Sequence, residues 1–390
     1  MKKTLFIHIP KTGGTTLSQI FKNHYYESES VVNLQISSTT AELLKIRDEN
    51  VTYVSGHIPA MSVDLLKFDK KITILRNPLD TICSIIAFVK HADFRGLLTD
   101  KLLDSLLKKS EKYLIYTQYF ALGFDFTRFV KERQFGIVKE TYTDYNDETD
   151  VDGLVSTVSR FDYVLDFSNL NAEIKRLIIA EELFPYSDIP NMRHHNYKAD
   201  KDTANKLLSK IDLDFYQKAK KLFAKIPDNI NQKYTLYQKQ YPAKYGKNLD
   251  RHQSTELDLR QVIGLGWGDA EKNEKGAYFR WSEAETSSIE IPISNPSNYV
   301  LYIYLYIPPN HSVKADSVTL TTVGKSEVKS WIHGDFKIFH VHVKLTKPGW
   351  IKAKLITIKN NEPTIIKQAN PDTRTTLNYI LSSVILRRID

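Results

Sequence analysis

The stretch that decides the fold is Phe6-Ile7-His8-Ile9-Pro10-Lys11-Thr12-Gly13-Gly14-Thr15-Thr16-Leu17. Apolar residues 4–9 predict a short strand, and a helix is expected to begin at Thr15 or Thr16. A strand, a glycine loop and a helix N-terminus in this order direct backbone N–H groups and the positive end of a helix dipole toward one point. The stretch therefore predicts an anion-binding loop for a phosphate or a group of similar shape, with Lys11 as an added positive charge.

The position of the lysine separates this loop from that of nucleoside-triphosphate-binding proteins. In their pattern, G-x-x-x-x-G-K-[ST], the lysine follows the glycines and a hydroxyl for magnesium stands next to it. Here Lys11 precedes Gly13 and Gly14. The order favours a lysine that approaches from the strand side, over a bridging oxygen of the ligand. A tight strand-to-helix turn that binds no ligand remains the alternative.

A second motif of the same kind follows about sixty residues later. Residues 71–75 are typical of a strand buried in a parallel sheet, and Arg76-Asn77-Pro78-Leu79-Asp80 comes directly after them. The proline suits the first turn of a helix, where its missing N–H costs nothing. Ser84 lies about two turns into that helix. An arginine can bind a phosphate with two N–H groups and a serine hydroxyl adds a donor, although either residue alone is commonplace.

Together the two motifs resemble the loops with which sulfotransferases bind 3'-phosphoadenosine 5'-phosphosulfate (PAPS), and the first is closest to the branch that sulfates carbohydrates. The resemblance implies an α/β fold with a P-loop-like parallel sheet flanked by helices. It also implies PAPS as co-substrate, without a metal. The residues that it assigns to PAPS binding are Lys11, Thr12, Gly13, Gly14, Thr15, Thr16, Arg76 and Ser84.

A third segment, residues 51–59, reads as another strand that ends in a turn at Gly56, with His57 directly after it. Ligands of open parallel sheets lie outside the carboxyl ends of the strands, which would place His57 beside the ligand. The carbohydrate branch includes enzymes with a catalytic histidine in such a Gly-His segment, so the resemblance implies His57 as the general base and Lys11 as the second catalytic residue. Many relatives use a glutamate instead, and a histidine that only caps the strand is the structural alternative.

Composition agrees with a globular protein that binds anions. The 390 residues carry a net charge of +8, with 26% charged and 42% hydrophobic residues. No zinc-finger spacing, helix-turn-helix signal or RNA-binding aromatic signature points to nucleic acid. Cys83 is the only cysteine, which rules out an intramolecular disulfide. The absence of a signal sequence and of an apolar run of membrane-spanning length predicts a cytoplasmic enzyme.

The chain is expected to contain two domains. Residues 1–226 alternate strands and helices, residues 227–253 read as a linker or irregular connector, and residues 254–390 contain short strands that predict an antiparallel β-sandwich. The segments around Trp267 and Trp281 resemble a β-sandwich module of bacterial polysaccharide-synthesis enzymes, which implies a carbohydrate- or partner-binding domain. Either tryptophan could stack on a sugar, but burial in the core is favoured.

Four further segments have patterns that predict local structure. Residues 97–107, 112–122 and 124–133 predict helices, and the basic residues 190–198 predict either a loop that covers the nucleotide or a plain surface loop.

The sequence therefore predicts a PAPS-dependent O-sulfotransferase that acts on a sugar hydroxyl of a glycan or glycolipid precursor. A sulfotransferase for small-molecule hydroxyls is the alternative. A nucleotide-dependent kinase would need the lysine after the glycines and an acidic magnesium ligand. A non-catalytic carbohydrate-binding protein would leave both anion loops without a role.

Overall fold

The structure is a computed structural model. It describes residues 3–9, 11–25, 31–34, 51–56, 67–91, 151–186, 189, 201–208, 210–259, 264, 267–282, 286–308, 315–322, 326–357 and 379–390. Contacts divide the chain into two compact units. The first comprises Met1–Ile174 and Arg193–Pro227, and the second comprises Lys175–Met192 and Asp228–Asp390.

The first unit contains a five-stranded parallel sheet with the order β2-β3-β1-β4-β5. All four residues of the central strand β1 are buried, as is usual in the middle of a parallel sheet. This sheet and its helices confirm the predicted α/β architecture at that level. The strands are β1 (Thr4–Ile7), β2 (Val31–Leu34), β3 (Tyr53–Gly56), β4 (Lys70–Leu75) and β5 (Tyr163–Asp166).

The helices of the first unit follow the strands as the sequence predicted for the two anion motifs. Helix α1 (Gly14–Tyr25) begins in the glycine loop, and α2 (Pro78–His91) begins at the predicted proline. The side chain of Asn77 caps α2, since its Oδ1 accepts a hydrogen bond from the Leu79 N–H at 2.9 Å. The other helices are α3 (Val151–Val158), α4 (Leu170–Ala180, which crosses into the second unit), α5 (Lys201–Leu207) and α6 (Lys210–Ala219).

The order of the strands places a switch point between β1 and β4. From β1 the chain turns to β2 and β3 on one side, whereas β5 lies beyond β4 on the other side. In open parallel sheets, ligands bind in the crevice outside the carboxyl ends of the strands at such a point. The segments that follow β1 and β4 are the two predicted anion motifs.

The second unit contains two antiparallel sheets. One has seven strands, in the order β12-β13-β10-β15-β8-β7 with β6 paired to β15, and the other has the order β11-β14-β9. The strands are β6 (Ser254–Glu256), β7 (Trp267–Lys272), β8 (Tyr278–Ser282), β9 (Thr286–Ile293), β10 (Ser297–Tyr306), β11 (Val318–Thr322), β12 (Ser326–His333), β13 (Phe336–Leu345), β14 (Gly349–Thr357) and β15 (Ile380–Arg388).

Both sheets contribute to one hydrophobic core, which is the arrangement of a β-sandwich. Trp267 belongs to this core, being only 1% exposed, and its indole N–H donates to the Ser288 carbonyl at 2.8 Å. The favoured interpretation of Trp267 as a buried core residue is therefore confirmed. Trp281 is partly buried.

The predicted connector at residues 227–253 is corrected by the structure. Helix α7 (Ile230–Tyr245) occupies most of it and packs against β9 and β14. Tyrosines at helical spacing explain the helix: the Tyr234 hydroxyl donates to the Tyr186 carbonyl at 2.9 Å, and Tyr241 stacks on Trp350 with ring centroids 5.8 Å apart. The polar composition concealed this stripe. The predicted domain boundaries themselves stay a prediction.

The remaining sequence predictions are either outside the residues that the structure describes or incomplete. The helices predicted at 97–107, 112–122 and 124–133 and the loop at 190–198 lie outside the described residues. Strands β2, β6, β7, β8 and β12 were not predicted. Among the helices that the structure describes, none combines the length and the apolar character needed to cross a membrane.

Candidate anion-binding site

The loop after β1 has the backbone of a tight turn. Lys11 has a φ of 64° and Gly13 a φ of 82°, so both adopt the left-handed region. That conformation costs a lysine free energy, and the surrounding contacts must therefore hold it in place. One such contact is within the loop, where the buried Thr12 hydroxyl donates to the Ile9 carbonyl at 2.6 Å. The Thr12 hydroxyl proton is thus used by the loop itself, while its backbone N–H stays a candidate for an anion.

Packing on both sides explains why the loop contains two glycines. A Cβ on Gly13 would lie 2.5 Å from Leu170 Cδ2, and one on Gly14 would lie 2.0 Å from Cδ2 of His8. Real Cβ atoms do not approach other heavy atoms so closely. The loop is therefore clamped between the His8 imidazole and the start of α4, which brings the chain into the turn that precedes the N-terminus of α1.

Arg76 joins the two motifs. Its Nη1 donates a hydrogen bond to the backbone carbonyl of Lys11 at 2.8 Å. Its guanidinium carbon lies 4.3 Å from the centre of the Phe167 ring, which is a cation–π contact. The loop after β1, the residue after β4 and the turn after β5 therefore meet at one edge of the sheet.

For some of the predicted site residues the structure shows contacts at this edge of the sheet. For others it shows only their position in a helix. Lys11, Thr12, Gly13 and Gly14 form the loop, and Arg76 is bonded to it. Thr15 and Thr16 lie in the first turn of α1, the first half-buried and the second buried. Ser84 is half-buried in the second turn of α2. His57, the predicted base, lies outside the described residues.

The strand that precedes His57 nevertheless reaches the same edge. The His8 backbone N–H donates to the carbonyl of Gly56, the last residue of β3, at 2.9 Å. His8 itself was not selected from the sequence, although it stands in the decisive stretch. Its ring stacks on Phe6 at 5.6 Å and lies against Gly14, so it supports the loop at the N-terminus of α1. The feature that could have identified His8 as a residue of the site is its position directly after β1, two residues before Pro10.

Asp166 organises the turn that carries Phe167. Its carboxylate accepts hydrogen bonds from the Ser168 backbone N–H at 2.9 Å and from the Asn169 side chain at 3.2 Å, which caps the short 3₁₀ turn. The Asp166 carboxylate also affects a tyrosine of α6. Burial, and then the negative charges of Asp166 and Asp80, raise the pKa of Tyr216 to about 12. Tyr216 thus stays a neutral phenol near these carboxylates. Nothing in the sequence indicated that Asp80, Asp166 and Tyr216 lie near one another, because they come from three separate segments of the chain.

No metal centre is formed by the part of the chain that the structure describes, since no three His, Cys, Asp or Glu side chains there are grouped to hold an ion. A metal-free reaction stays a prediction.

Comparisons with known proteins give distant likenesses. No family profile and no curated protein matches the chain. A solved sulfotransferase from Alicyclobacillus acidocaldarius is similar over 59% of this chain and 99% of that protein, with 14% identity and a TM-score of 0.31. A C-terminal CBM6 of a marine laminarinase from Zobellia galactanivorans is similar over 35% of this chain and 100% of the module, with 10% identity and a TM-score of 0.22. A β-1,3-glucan-binding CBM6 from Bacillus halodurans is similar over 36% of this chain and 99% of the module, with 8% identity and a TM-score of 0.22. Because these identities and TM-scores are low, the function is inferred from the residues of this chain and not from the similar structures.

Proposed function

We propose that this protein is a PAPS-dependent O-sulfotransferase that transfers a sulfuryl group to a sugar hydroxyl. The observation that carries the proposal is the hydrogen bond between Arg76 and the Lys11 carbonyl. It brings a glycine loop at a helix N-terminus and an arginine that ends the neighbouring strand to one edge of the sheet. Two phosphate-binding elements side by side suit a ligand with phosphates at both its 5' and 3' positions.

The residues of the loop favour PAPS over a nucleoside triphosphate. The lysine stands on the strand side of the two glycines, as in the sulfotransferase loops that the sequence resembles. A triphosphate loop needs the lysine after the glycines and a hydroxyl for magnesium beside it. The order of residues therefore disfavours a kinase.

In the proposed reaction, the acceptor oxygen forms a bond to sulfur while the bond from sulfur to the bridging phosphate oxygen breaks. The products are a sulfate ester and 3'-phosphoadenosine 5'-phosphate. His57 takes the proton of the acceptor hydroxyl, and the Lys11 ammonium offsets the negative charge that develops on the departing oxygen. Arg76 and Ser84 hold the 3'-phosphate, and backbone N–H groups of residues 12–16 hold the 5'-phosphosulfate.

The acceptor is proposed to be a hydroxyl of a glycan or glycolipid precursor, and the compartment to be the cytoplasm. The residue sequence of the first motif supports a carbohydrate acceptor, because it resembles the carbohydrate branch of sulfotransferases. The second unit, a β-sandwich, is proposed to bind carbohydrate as well. A small-molecule hydroxyl is the second candidate acceptor.

The test is transfer of radiolabelled sulfate from PAPS to two panels of acceptors, one of polysaccharides and oligosaccharides and one of phenols and alcohols. Label in the saccharide panel is expected from the wild type and from Lys233→Ala, a change on the exposed side of α7, but not from Lys11→Ala. Label only in the phenols would make the acceptor a small molecule. Absence of label from both panels, with phosphate transfer from ATP instead, would contradict the proposal.

A further inference from the structure

The outer face of the seven-stranded sheet in the second unit carries a continuous group of aromatic rings. Side chains alternate between the two faces of a strand. On β10, the residues at 299, 301, 303 and 305 belong to the core, so the intervening residues point outward. We call the outward group on β12, β13 and β10 the ring platform; its members are Trp331, His340, Phe336, Tyr302, Tyr304 and Tyr306.

The rings of the platform contact one another across three strands. Tyr302 and His340 are directly paired in the register of β10 and β13, and their rings stack at 4.8 Å with an interplanar angle of 17°. Trp331 on β12 meets the His340 ring edge-on at 6.3 Å. At one end of the platform, Tyr306 and Phe336 are 5.4 Å apart. Along β10, outward rings recur about every 7 Å, which is twice the rise per residue of a strand.

These rings are not needed for the core of the unit, which lies on the other side of the sheet. Trp331 remains 45% exposed and Phe336 37% exposed. Exposed aromatic groups on one continuous face mark a binding surface more often than isolated ones do. Tyrosine, histidine and tryptophan also carry polar atoms at their rims, which lets a wet ligand form hydrogen bonds there.

The charges on this face select among possible ligands. Lys329 pairs with Glu327 at 2.9 Å, and the Glu256 carboxylate on β6 accepts a hydrogen bond from the Ser383 hydroxyl on β15 at 2.6 Å. Lys344 on β13 and Arg387 on β15 also occupy outward positions. The pKa of His340 is lowered by burial and by the nearby His342 and Lys329, which keeps its imidazole neutral near pH 7. Nucleic acids and anionic membranes are bound by surfaces of one positive sign, whereas this face carries acidic side chains among its basic ones.

We propose that the ring platform binds a chain of uncharged pyranose sugars. A pyranose presents C–H groups on its face and hydroxyls at its rim, so it can lie on Trp331 or Tyr302 while its hydroxyls bond to the Lys329, Glu327 and His342 side chains at the border. Several sugars in a row would use the repeated rings along β10. The inference rests on the carbohydrate-binding role proposed above for the second unit and gives it a place and a ligand class. The binding needs neither PAPS nor the anion-binding loop, so its failure would leave the proposed sulfuryl transfer untouched.

The experiment uses the full chain without nucleotide. Cellohexaose, mannohexaose and maltohexaose are titrated into the protein, with intrinsic tryptophan fluorescence and calorimetry as readouts. At least one hexasaccharide is expected to bind, and Trp331→Ala is expected to weaken that binding about tenfold or more, as for loss of a central aromatic contact. The matched control is Ile332→Ala, because Ile332 is 50% exposed on the same edge strand but points to the opposite face. It should change the affinity less than about twofold.

A second variant guards against misfolding. Tyr302→Ala removes a ring from a central strand, whereas Trp331→Ala changes an exposed edge strand. The test is valid for whichever variant unfolds at the same temperature as the wild type. Equal binding by the wild type, Trp331→Ala and Tyr302→Ala would overturn the proposal. So would failure of all three hexasaccharides to bind, or binding to the platform of a 20-base-pair DNA duplex or of phosphatidylglycerol vesicles instead.

Discussion

Arg76 Nη1 donates a hydrogen bond to the backbone carbonyl of Lys11 at 2.8 Å, and this contact ties the end of β4 to the loop after β1. Lys11 has a positive φ, so the bond also holds a strained backbone in place. The planar guanidinium fork has the donor geometry that binds a phosphate with two N–H groups. Arg76 therefore shapes the loop, and we propose that it also binds the ligand.

The first prediction separates the roles of Lys11 and Arg76. Lys11→Ala removes a charge opposite the leaving oxygen, so turnover should fall on the order of a hundredfold while the affinity for 3'-phosphoadenosine 5'-phosphate falls little. Arg76→Ala should mainly weaken that affinity, because it removes a contact that exists before the reaction. Steady-state kinetics and calorimetry on both variants measure the difference.

Arg251→Ala, a change at an exposed turn of the second unit, is the control for loss of an arginine. If Lys11→Ala kept its turnover and lost only affinity, the leaving-group role of Lys11 would be wrong.

The second prediction concerns the contact between Gly14 and His8. Gly14→Ala places a methyl group inside the His8 ring, so the thermal midpoint of the protein should fall. Removing the ring makes room, so in the double variant with His8→Ala the added cost of the Gly14 change should be much smaller. A double-mutant cycle by thermal unfolding measures this coupling. Strictly additive effects would show that the ring does not occupy that place.

The parts of this site that the sequence predicted are those written in local patterns. The apolar strands, the glycine loop and the proline at the start of α2 each follow from a few adjacent residues, and all three appear at the predicted places. That β1 and β4 are neighbours was not predicted, because no local pattern shows which strands pair.

The parts that the sequence did not predict depend on residues far apart in the chain. Phe167 reaches Arg76 from about ninety residues away, and nothing near it marks a phenylalanine as a partner for a cation. His8 gained its role from a close approach to Gly14 that only the folded loop creates. Helix α7 was missed because its tyrosines, although at helical spacing, stand among polar residues.

The third prediction tests the base. His57→Ala should retain the affinity for 3'-phosphoadenosine 5'-phosphate, because no phosphate contact is lost, while turnover drops roughly a hundred to ten thousandfold. In the wild type, the low-pH limb of turnover should follow a group that titrates at about 6 to 7, the range of an ordinary histidine. A variant with most of its turnover would move the base to a carboxylate, and one that cannot bind the nucleotide would make His57 a residue of the pocket.

The fourth prediction concerns stability and pH. Burial, and then the nearby charge of Lys70, lower the pKa of His24 below its ordinary value in the folded protein. Between the folded and unfolded pKa values the unfolded chain binds more protons, so the free energy of unfolding rises with pH. The contribution of His24 is therefore present above about pH 6.5 and is lost as the pH falls through the folded pKa.

His24→Gln should accordingly lose less stability than the wild type between about pH 7.5 and pH 5.5, as measured by urea denaturation. The exposed His333→Gln is the control. Identical pH dependence of the wild type and His24→Gln would show that His24 is not buried as described.

The most direct test of the central claim, that the edge formed by Lys11 and Arg76 is a PAPS site, is the thermal shift produced by 3'-phosphoadenosine 5'-phosphate. A ligand that binds only the folded protein raises its unfolding temperature by mass action. We expect a clear rise with this nucleotide, a smaller one with ADP, which lacks the 3'-phosphate, and loss of the difference between the two in Arg76→Ala. An equal or larger rise with ATP and magnesium, unaffected by Arg76→Ala, would contradict the claim.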